Sequence, residues 1–194
     1  SLVRVRRDFN LDILTITDRF GKVVQRTNGS AIFGDDQSID PLVSRALRRE
    51  TATATEVVPR SELLKESPEF AERAYLRFIP TPMAAPRPED HEENGMMLKG
   101  AAPVLDEQGK VLGVLYGGII LNQNYEIVDR VKEIVFKGEK YKGKEIGTVT
   151  IFQNDLRIST NVTDAEGNRA IGTRVSQEVH DAVLRRGVPW VGRA

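Results

Sequence analysis

Residues 96–120 read MMLKGAAPVLDEQGKVLGVLYGGII. Two strongly apolar segments flank Asp106–Gly109, whose aspartate and glycine are typical of a tight turn. Val111–Ile120 is almost entirely apolar, as expected for a strand that is covered on both faces. Its three glycines allow a neighbouring backbone to approach closely. The pattern predicts an antiparallel hairpin whose second strand lies in the middle of a sheet.

A second hairpin is predicted near the amino terminus. Asp12–Thr17 alternates apolar and polar residues, Asp18–Gly21 supplies turn residues, and Lys22–Thr27 resumes the alternation. This turn resembles the one at Asp106–Gly109, because each contains an aspartate and a glycine followed by Lys-Val. Hairpins join neighbouring antiparallel strands, so the sheets should be mostly antiparallel.

Helices are predicted between the strands. Asp40 before Pro41 is a helix start, because proline is tolerated in the first turn. A second helix is predicted over Ser67–Arg73. Tyr125–Phe136 places its apolar residues on one stripe and is followed by Lys137-Gly138, which predicts an amphipathic helix and its end. Together with the hairpins, these helices define an α+β fold.

Composition excludes several classes of function. The 194 residues include 28 basic and 28 acidic side chains, so the net charge is zero and nothing favours binding to nucleic acid. There is no cysteine for disulfides, thiolate metal sites or a thiol nucleophile. His91 and His180 are far apart and lack ligand spacing, so no metal site is expected. No phosphate-binding loop or nucleophile-elbow motif is present, and we expect no cofactor.

The carboxyl-terminal part repeats the pattern of hairpin, helix and returning strand. Strands are predicted over Gly147–Phe152 and Leu156–Val162, with turn residues at Thr163–Asn168. A helix is predicted over Val175–Val183, ending near Gly187. The organisation is therefore two α+β modules joined by the Tyr125 helix. The second module is short for a self-sufficient core.

Two motifs in this part of the chain resemble a known family. Residues 147–162 read GTVTIFQNDLRISTNV, and residues 167–173 read GNRAIGT before the predicted helix. This series of strand, turn, Gly-Thr and helix resembles the opening of a PAS-like module in the Cache-type sensor regions of bacterial chemoreceptors and sensor histidine kinases. Residues 106–118, DEQGKVLGVLYGG, resemble the closing hairpin of such a module.

The resemblance implies an organisation for the whole chain. Residues 1–9 are expected to be the remnant of an amino-terminal helix, and residues 10–124 the first, membrane-distal module. Residues 125–143 form the linker helix, and residues 144–194 a second, truncated module. The family further implies a membrane-anchored parent chain, a homodimer in the full receptor, and a sensor outside the cytoplasmic membrane.

The candidate ligand-binding residues are Tyr75, Arg77, Lys99 and Tyr116. Side chains alternate between the faces of a strand, so Tyr75 and Arg77 share a face of the strand predicted over residues 75–79. Lys99 and Tyr116 each lie among apolar neighbours. If these faces converge, two cations and two hydroxyls would hold a small organic anion. Alternatively, the cations reach solvent from edge strands and the tyrosines belong to the core.

A secondary candidate site lies on the second module. Arg157 and Thr160 share a predicted strand, and Arg169 and Arg174 follow nearby. Arginines are seldom buried, so the alternative is that these side chains are solvated.

The expected function is non-catalytic recognition of a small molecule. One alternative is a dimerisation or docking module that senses nothing. The other is a small hydrolase that uses paired carboxylates. That reading is disfavoured because no carboxylate is expected inside an apolar strand, where desolvation would tune its pKa.

Overall fold

A computed structural model describes residues 1–192 as an α+β protein. The helices in this range are α1 (Leu2–Asp8), α2 (Pro41–Leu47), α3 (Arg60–Glu66), α4 (Pro68–Ala74), α5 (Tyr125–Phe136) and α6 (Gln177–His180), which continues as a π-helical turn over Asp181–Arg185. The strands are β1 (Ile13–Thr17), β2 (Val23–Arg26), β3 (Ala52–Val58), β4 (Leu76–Arg77), β5 (His91–Glu92), β6 (Gly95–Leu105), β7 (Val111–Ile120), β8 (Lys140–Tyr141), β9 (Lys144–Glu145), β10 (Thr150–Gln153) and β11 (Leu156–Thr160).

The chain divides into two compact units. Unit 1 contains Ser1–Ala74 and Asn94–Ile120, and unit 2 contains Tyr75–Glu93 and the chain from Leu121 onward. The segment Tyr75–Glu93 thus belongs to unit 2, although the sequence analysis placed it in the first module. The two-module arrangement and its boundaries stay predictions.

Unit 1 is built on a five-stranded antiparallel sheet in the order β2-β1-β7-β6-β3. Strand β7 lies between β1 and β6, so the predicted central position of Val111–Ile120 is confirmed. Both predicted hairpins are also confirmed, as β1 with β2 and β6 with β7.

Two glycines of β7 are required by its central position. A Cβ atom at Gly118 would overlap the carbonyl oxygen of Leu98, and one at Gly113 would overlap that of Thr17. Leu98 lies on β6 and Thr17 on β1, so the glycines let neighbouring strands approach from both sides.

Helices α2, α3 and α4 pack against the sheet to form the core of unit 1. The fully buried side chains include Val43 of α2, Leu63 of α3, Met97 of β6 and Ile120 of β7. Helix α2 begins where the sequence predicts, because the Asp40 carboxylate accepts the backbone N–H groups of residues 42 and 43 at 2.9 and 3.0 Å.

Unit 2 contains the antiparallel hairpin β10–β11 and helix α5. The backbone N–H of Gln123, just before α5, donates to the carbonyl of Ile158 in β11 at 2.7 Å. The backbone N–H of Ile79 donates to the carbonyl of Gly172 at 2.8 Å. These bonds hold the segment 75–93 and the start of α5 to the residues around the hairpin.

Several predicted elements differ in extent. The strand predicted over residues 75–79 is reduced to Leu76–Arg77, and the one predicted from residue 147 begins at Thr150. The helix predicted over residues 175–183 is the short α6 and its π-helical turn. Residues 193 and 194, the last of the predicted second module, lie outside the described residues. Among residues 1–192, no helix has the length and apolar character needed to cross a lipid bilayer.

Candidate functional site

Lys99 and Tyr116 lie together on the helix-covered face of the sheet in unit 1. Lys99 is 8 % exposed and Tyr116 is 3 % exposed. The Lys99 ammonium lies 5.0 Å from the centre of the Tyr116 ring, within the range of a cation–π contact. The structure therefore brings two of the four predicted ligand-binding residues together, and Lys99 does not reach out to solvent.

The charge of Lys99 is balanced by two carboxylates. Its ammonium donates a hydrogen bond to Asp40 and lies 3.6 Å from Glu56. With one cation and two acids, this cluster carries a net negative charge when all three groups are ionised. An anionic ligand at Lys99 would therefore also meet two carboxylates.

Glu56 corrects one expectation from the sequence. This residue lies within β3, and burial raises the pKa of its carboxyl above the usual range, although Lys99 opposes the shift. The Glu56 carboxylate is therefore partly desolvated within a strand, whereas the sequence predicted no carboxylate whose pKa is tuned in this way. It is paired with a cation, as are most buried acids.

The hydroxyl of Tyr116 is part of a buried polar network around Glu66 of α3. Glu66 accepts from the Tyr116 hydroxyl at 3.3 Å and from the Thr15 hydroxyl at 3.2 Å. It also accepts from Arg26 Nε at 3.0 Å. Burial raises the pKa of Tyr116, and the charge of Glu66 adds to the shift, so the phenol stays a donor to the carboxylate.

Arg26 connects this network to the loop after β2. Its two Nη atoms donate to the carboxylate oxygens of Asp35 at 2.7 and 2.9 Å, and Nη1 also donates to the carbonyl of Ile32 at 2.8 Å. The hydrogen bond from Arg26 lowers the pKa of Asp35 well below its usual range. Burial disfavours the charged form of Arg26 and so acts to lower its pKa. The hydrogen bond to Asp35 and the negative charge of Glu66 act in the opposite direction and are stronger, so the pKa of Arg26 is raised.

Arg26 and Glu66 are interior residues that local sequence patterns do not reveal. Arg26 is the last residue of an edge strand, and Glu66 is the last residue of a helix that was not predicted. No local pattern distinguishes them from ordinary surface charges, because they meet 40 positions apart in the chain.

Tyr75 and Arg77 belong to unit 2, whereas Lys99 and Tyr116 belong to unit 1. Both Tyr75 and Arg77 are exposed, and the Tyr75 ring lies 5.2 Å from that of His91. The convergence of all four residues on one ligand stays a prediction.

The secondary candidates in unit 2 have unequal surroundings. Thr160 is buried, and its hydroxyl lies 2.6 Å from that of Thr150. Arg157 is half-buried against the Phe152 ring, and its Nε is buried without a hydrogen-bond partner. Burial lowers the pKa of Arg157. Its guanidinium therefore retains donor capacity that the surrounding residues do not use.

The neighbouring arginines of unit 2 are paired with acids. Arg169 donates to both carboxylate oxygens of Asp129 at 2.6 and 2.9 Å. Arg174 donates to the buried Asp155 at 2.6 and 2.8 Å, and Arg87 donates to the same carboxylate at 3.1 Å. These arginines contribute to the structure of unit 2 rather than to an open ligand site.

A polar pocket of about 450 Å³ lies in unit 1 and was not predicted. Its walls come from α1, from the residues that follow β2, and from α4. The lining side chains include Arg6, Arg7, Asp12, Asn28, Glu69 and Arg73. Within residues 1–192, no group of three or more histidine, aspartate or glutamate side chains is arranged to hold a metal ion.

Comparison with known proteins finds a family match for part of the chain. Residues 119–194, which contain α5 and the β10–β11 hairpin, match the family described as single cache domain 3. No curated protein sequence matches the chain. The family match supports a Cache-type sensor domain in this region.

Two solved bacterial structures are similar at low identity. The Escherichia coli DcuS sensor domain is 18 % identical over 60 % of this chain, with a TM-score of 0.35. The chain spans only 60 % of that domain. The PAS domain of Bordetella pertussis BvgS is 14 % identical, with 69 % of this chain and 93 % of that chain covered, and a TM-score of 0.35.

Proposed function

We propose that this chain is the extracytoplasmic ligand-sensing part of a bacterial transmembrane receptor with a histidine kinase or chemoreceptor output. The observation that carries the proposal is the match of residues 119–194 to a single cache domain. On this proposal the parent chain is membrane-anchored and homodimeric, and the domain binds its ligand without chemical conversion.

The proposed ligand is a small organic anion. The support for this class comes from arginines with unused donors, Arg157 in unit 2 and Arg6 in unit 1. Lys99 gives weaker support, because Asp40 and Glu56 already balance its charge. Arg77 is exposed and remains a candidate contact for the ligand.

Signalling by such a domain needs two arrangements with different ligand affinity. A ligand shifts the equilibrium only by the difference between its two binding free energies, and typical couplings are about 1–3 kcal/mol. In unit 2, helix α5 is held by the bond from Asn161 Nδ2 to the Val128 carbonyl at 3.3 Å and by the Arg169–Asp129 pair. The Lys132–Glu145 ion pair and the fully buried Val128 also hold α5, so a shift of this helix would have to rearrange these contacts as well.

A thermal-shift panel tests the proposal. The purified chain is mixed with carboxylates, amines and amino acids, and the melting temperature is recorded for each. A ligand that binds only the folded chain at about one hundred times its Kd stabilises it by about 2.7 kcal/mol. We expect a carboxylate to raise the melting temperature and to be recovered unchanged. A panel without any shift, or a compound that is consumed, would overturn the proposal.

Two substitutions test the residues proposed from the sequence. If Arg77 contacts the anion, Arg77→Ala weakens binding while the unliganded protein stays folded. Lys99→Ala also leaves Asp40 and Glu56 without this cation, so its affinity is compared only after its melting temperature shows a folded chain. Unchanged affinity in Arg77→Ala and Lys99→Ala would remove these residues from the site.

A docking module is a second candidate function, favoured by the exposed apolar residues of α5. Ile134 is 62 % exposed and Val135 is 60 % exposed. The test measures the mass of the purified chain in solution at several concentrations. Docking would be favoured over sensing if the mass rises with concentration in the wild type but not in Ile134→Ser, and if no compound of the thermal-shift panel raises the melting temperature.

A further inference from the structure

The pocket of unit 1 has walls rich in guanidinium groups. Three arginines and two acids line it, so its walls carry a net positive charge. The arginines are Arg6 and Arg7 from α1 and Arg73 from α4. An anionic ligand is therefore favoured over a cationic one.

Two residues that line this pocket, Arg6 and Asn28, each carry a buried donor without an acceptor. Arg6 Nε and Asn28 Nδ2 are both buried and make no hydrogen bond within the protein. Arg6 is partly engaged elsewhere, since its Nη1 donates to the carbonyls of Leu11 and Asp12 at 3.3 and 3.4 Å. Leaving buried donors unpaired costs free energy, and both donors lack the same kind of partner, an acceptor oxygen.

Arg73 is held in a fixed position beside these donors. Its Nη2 donates to the carbonyl of Ile120 at 2.6 Å, and its guanidinium faces both oxygens of Asp12 at 3.4 Å. Asp12 is itself fixed, because it accepts the backbone N–H of Ile120 at 2.7 Å. Arg73 and Asp12 form an ion pair at 3.4 Å, a separation longer than that of a strong charge-assisted hydrogen bond.

We propose that this pocket binds the carboxylate group of a small organic molecule. Arg6 Nε and Asn28 Nδ2 donate to its oxygens, Arg73 supplies positive charge, and the buried Phe70 ring offers an apolar wall for the rest of the ligand. A carboxylate supplies two acceptor oxygens, which matches two donors without partners. The inference rests on the proposed sensing function and gives it a site and a ligand class.

The site would also fix the position of helix α1. None of the seven residues of α1 is buried, and the polar contacts of Arg6 help to hold the helix. A ligand that bridges Arg6, Asn28 and Arg73 would link α1 to the residues after β2 and to α4. Binding should therefore stabilise α1 against local opening.

Calorimetric titration and hydrogen exchange with acetate, succinate and citrate test the inference. We expect at least one of these carboxylates to bind the wild-type chain and to slow amide exchange in residues 2–8. Arg6→Gln and Asn28→Ala should each weaken that binding by about tenfold or more, because each removes a hydrogen bond to a charged group. Arg6→Lys keeps the charge but lacks the Nε donor, and should not restore full affinity.

Arg4→Gln is the matched control. Arg4 lies on the same helix, its side chain is 81 % exposed, and it pairs with Asp8 rather than lining the pocket. We expect its affinity to stay within about twofold of the wild type. Melting temperatures of the unliganded variants show whether each one is folded.

The outcomes separate this inference from the sensing proposal. If a carboxylate binds equally to wild type, Arg6→Gln and Asn28→Ala, the pocket is wrong and the sensing function stands. If only amines or other amino compounds bind, the ligand class is wrong. Equal binding of sulfate or phosphate would show an adventitious anion site. If no compound of the panel binds the wild-type chain, both proposals fail.

Discussion

Arg26 Nε donates a 3.0 Å hydrogen bond to Glu66 Oε1, and the side chains of the two residues are only 1 % and 8 % exposed. The pair joins the end of β2 to the end of α3. It therefore links the sheet of unit 1 to its helical layer. A buried charge of this kind is tolerated only with its partners, and Arg26 has a second one in Asp35.

Replacement of Arg26 by methionine should strongly destabilise the protein. The change keeps an apolar stem but removes the hydrogen-bonded cation of the buried Glu66 and leaves Asp35 with Lys65, at 3.7 Å, as its remaining cation. We therefore expect the free energy of unfolding to fall by about 3–5 kcal/mol. Urea unfolding measures the loss. Arg45→Met is the control, since Arg45 and Glu50 form an exposed pair worth less than about 1 kcal/mol. Equal losses in the two variants would contradict the structural role of the buried pair.

Stability should fall in acid, in part through Asp35. The hydrogen bond from Arg26 lowers the pKa of Asp35 in the folded chain, so the folded state binds fewer protons than the unfolded state. The stabilisation is complete above the unfolded pKa of about 3.9 and is lost as the pH falls toward the folded value. Asp35→Asn should therefore show a flatter loss of stability from about pH 5 downward. Parallel curves for the variant and the wild type would show that Asp35 makes no such contribution.

The phenol of Tyr116 should stay protonated in the folded protein at alkaline pH. Burial and the nearby charge of Glu66 raise its pKa. In an ultraviolet titration to about pH 11, wild type and Tyr116→Phe should give the same absorbance rise while folded, and should differ by one tyrosine after unfolding in urea. A difference between the folded proteins would mean that Tyr116 is accessible to ionisation.

Alanine at Gly118 should disturb the centre of the sheet. The new Cβ would overlap the backbone of Leu98 on β6, and we expect a loss of about 1–3 kcal/mol in the free energy of unfolding. Gly100→Ala is a suitable comparison, because its Cβ would meet the end of the Thr53 side chain at 3.3 Å instead of backbone. Thermal or urea unfolding measures both variants. An equal loss of unfolding free energy in Gly100→Ala and Gly118→Ala would contradict the expected overlap with the backbone at Gly118.

Much of the fold of unit 1 follows from local sequence patterns. The Asp-Gly turns and the apolar run at Val111–Ile120 predict both hairpins and the central strand, because turn chemistry and burial on two faces leave clear local signals. In unit 2, the apolar stripe of α5 correctly predicts the bounds of this helix, Tyr125–Phe136. Helix α3 was missed, since its seven residues offer only Leu63 and Leu64 as apolar contacts. It forms where Leu63 packs into the core.

The surroundings of the candidate site could not be predicted from local patterns. Strand periodicity places Lys99 on the same face as its buried neighbours. Its counter-ion Asp40 is 59 positions away and is explained locally as the cap of α2. The pocket near Arg6 likewise combines residues from three distant segments. Ion pairs and cavities of this kind arise from tertiary packing, so no periodic pattern in the sequence indicates them.

On the proposed function, the chain binds a small organic anion and does not transform it. Calorimetric titration of the purified chain with the carboxylate that gives the largest thermal shift, followed by analysis of the recovered compound, tests both parts of this proposal. We expect saturable binding of one ligand per chain and quantitative recovery of the unchanged molecule. Absence of saturable binding for every carboxylate, or recovery of a converted product, would contradict the claim.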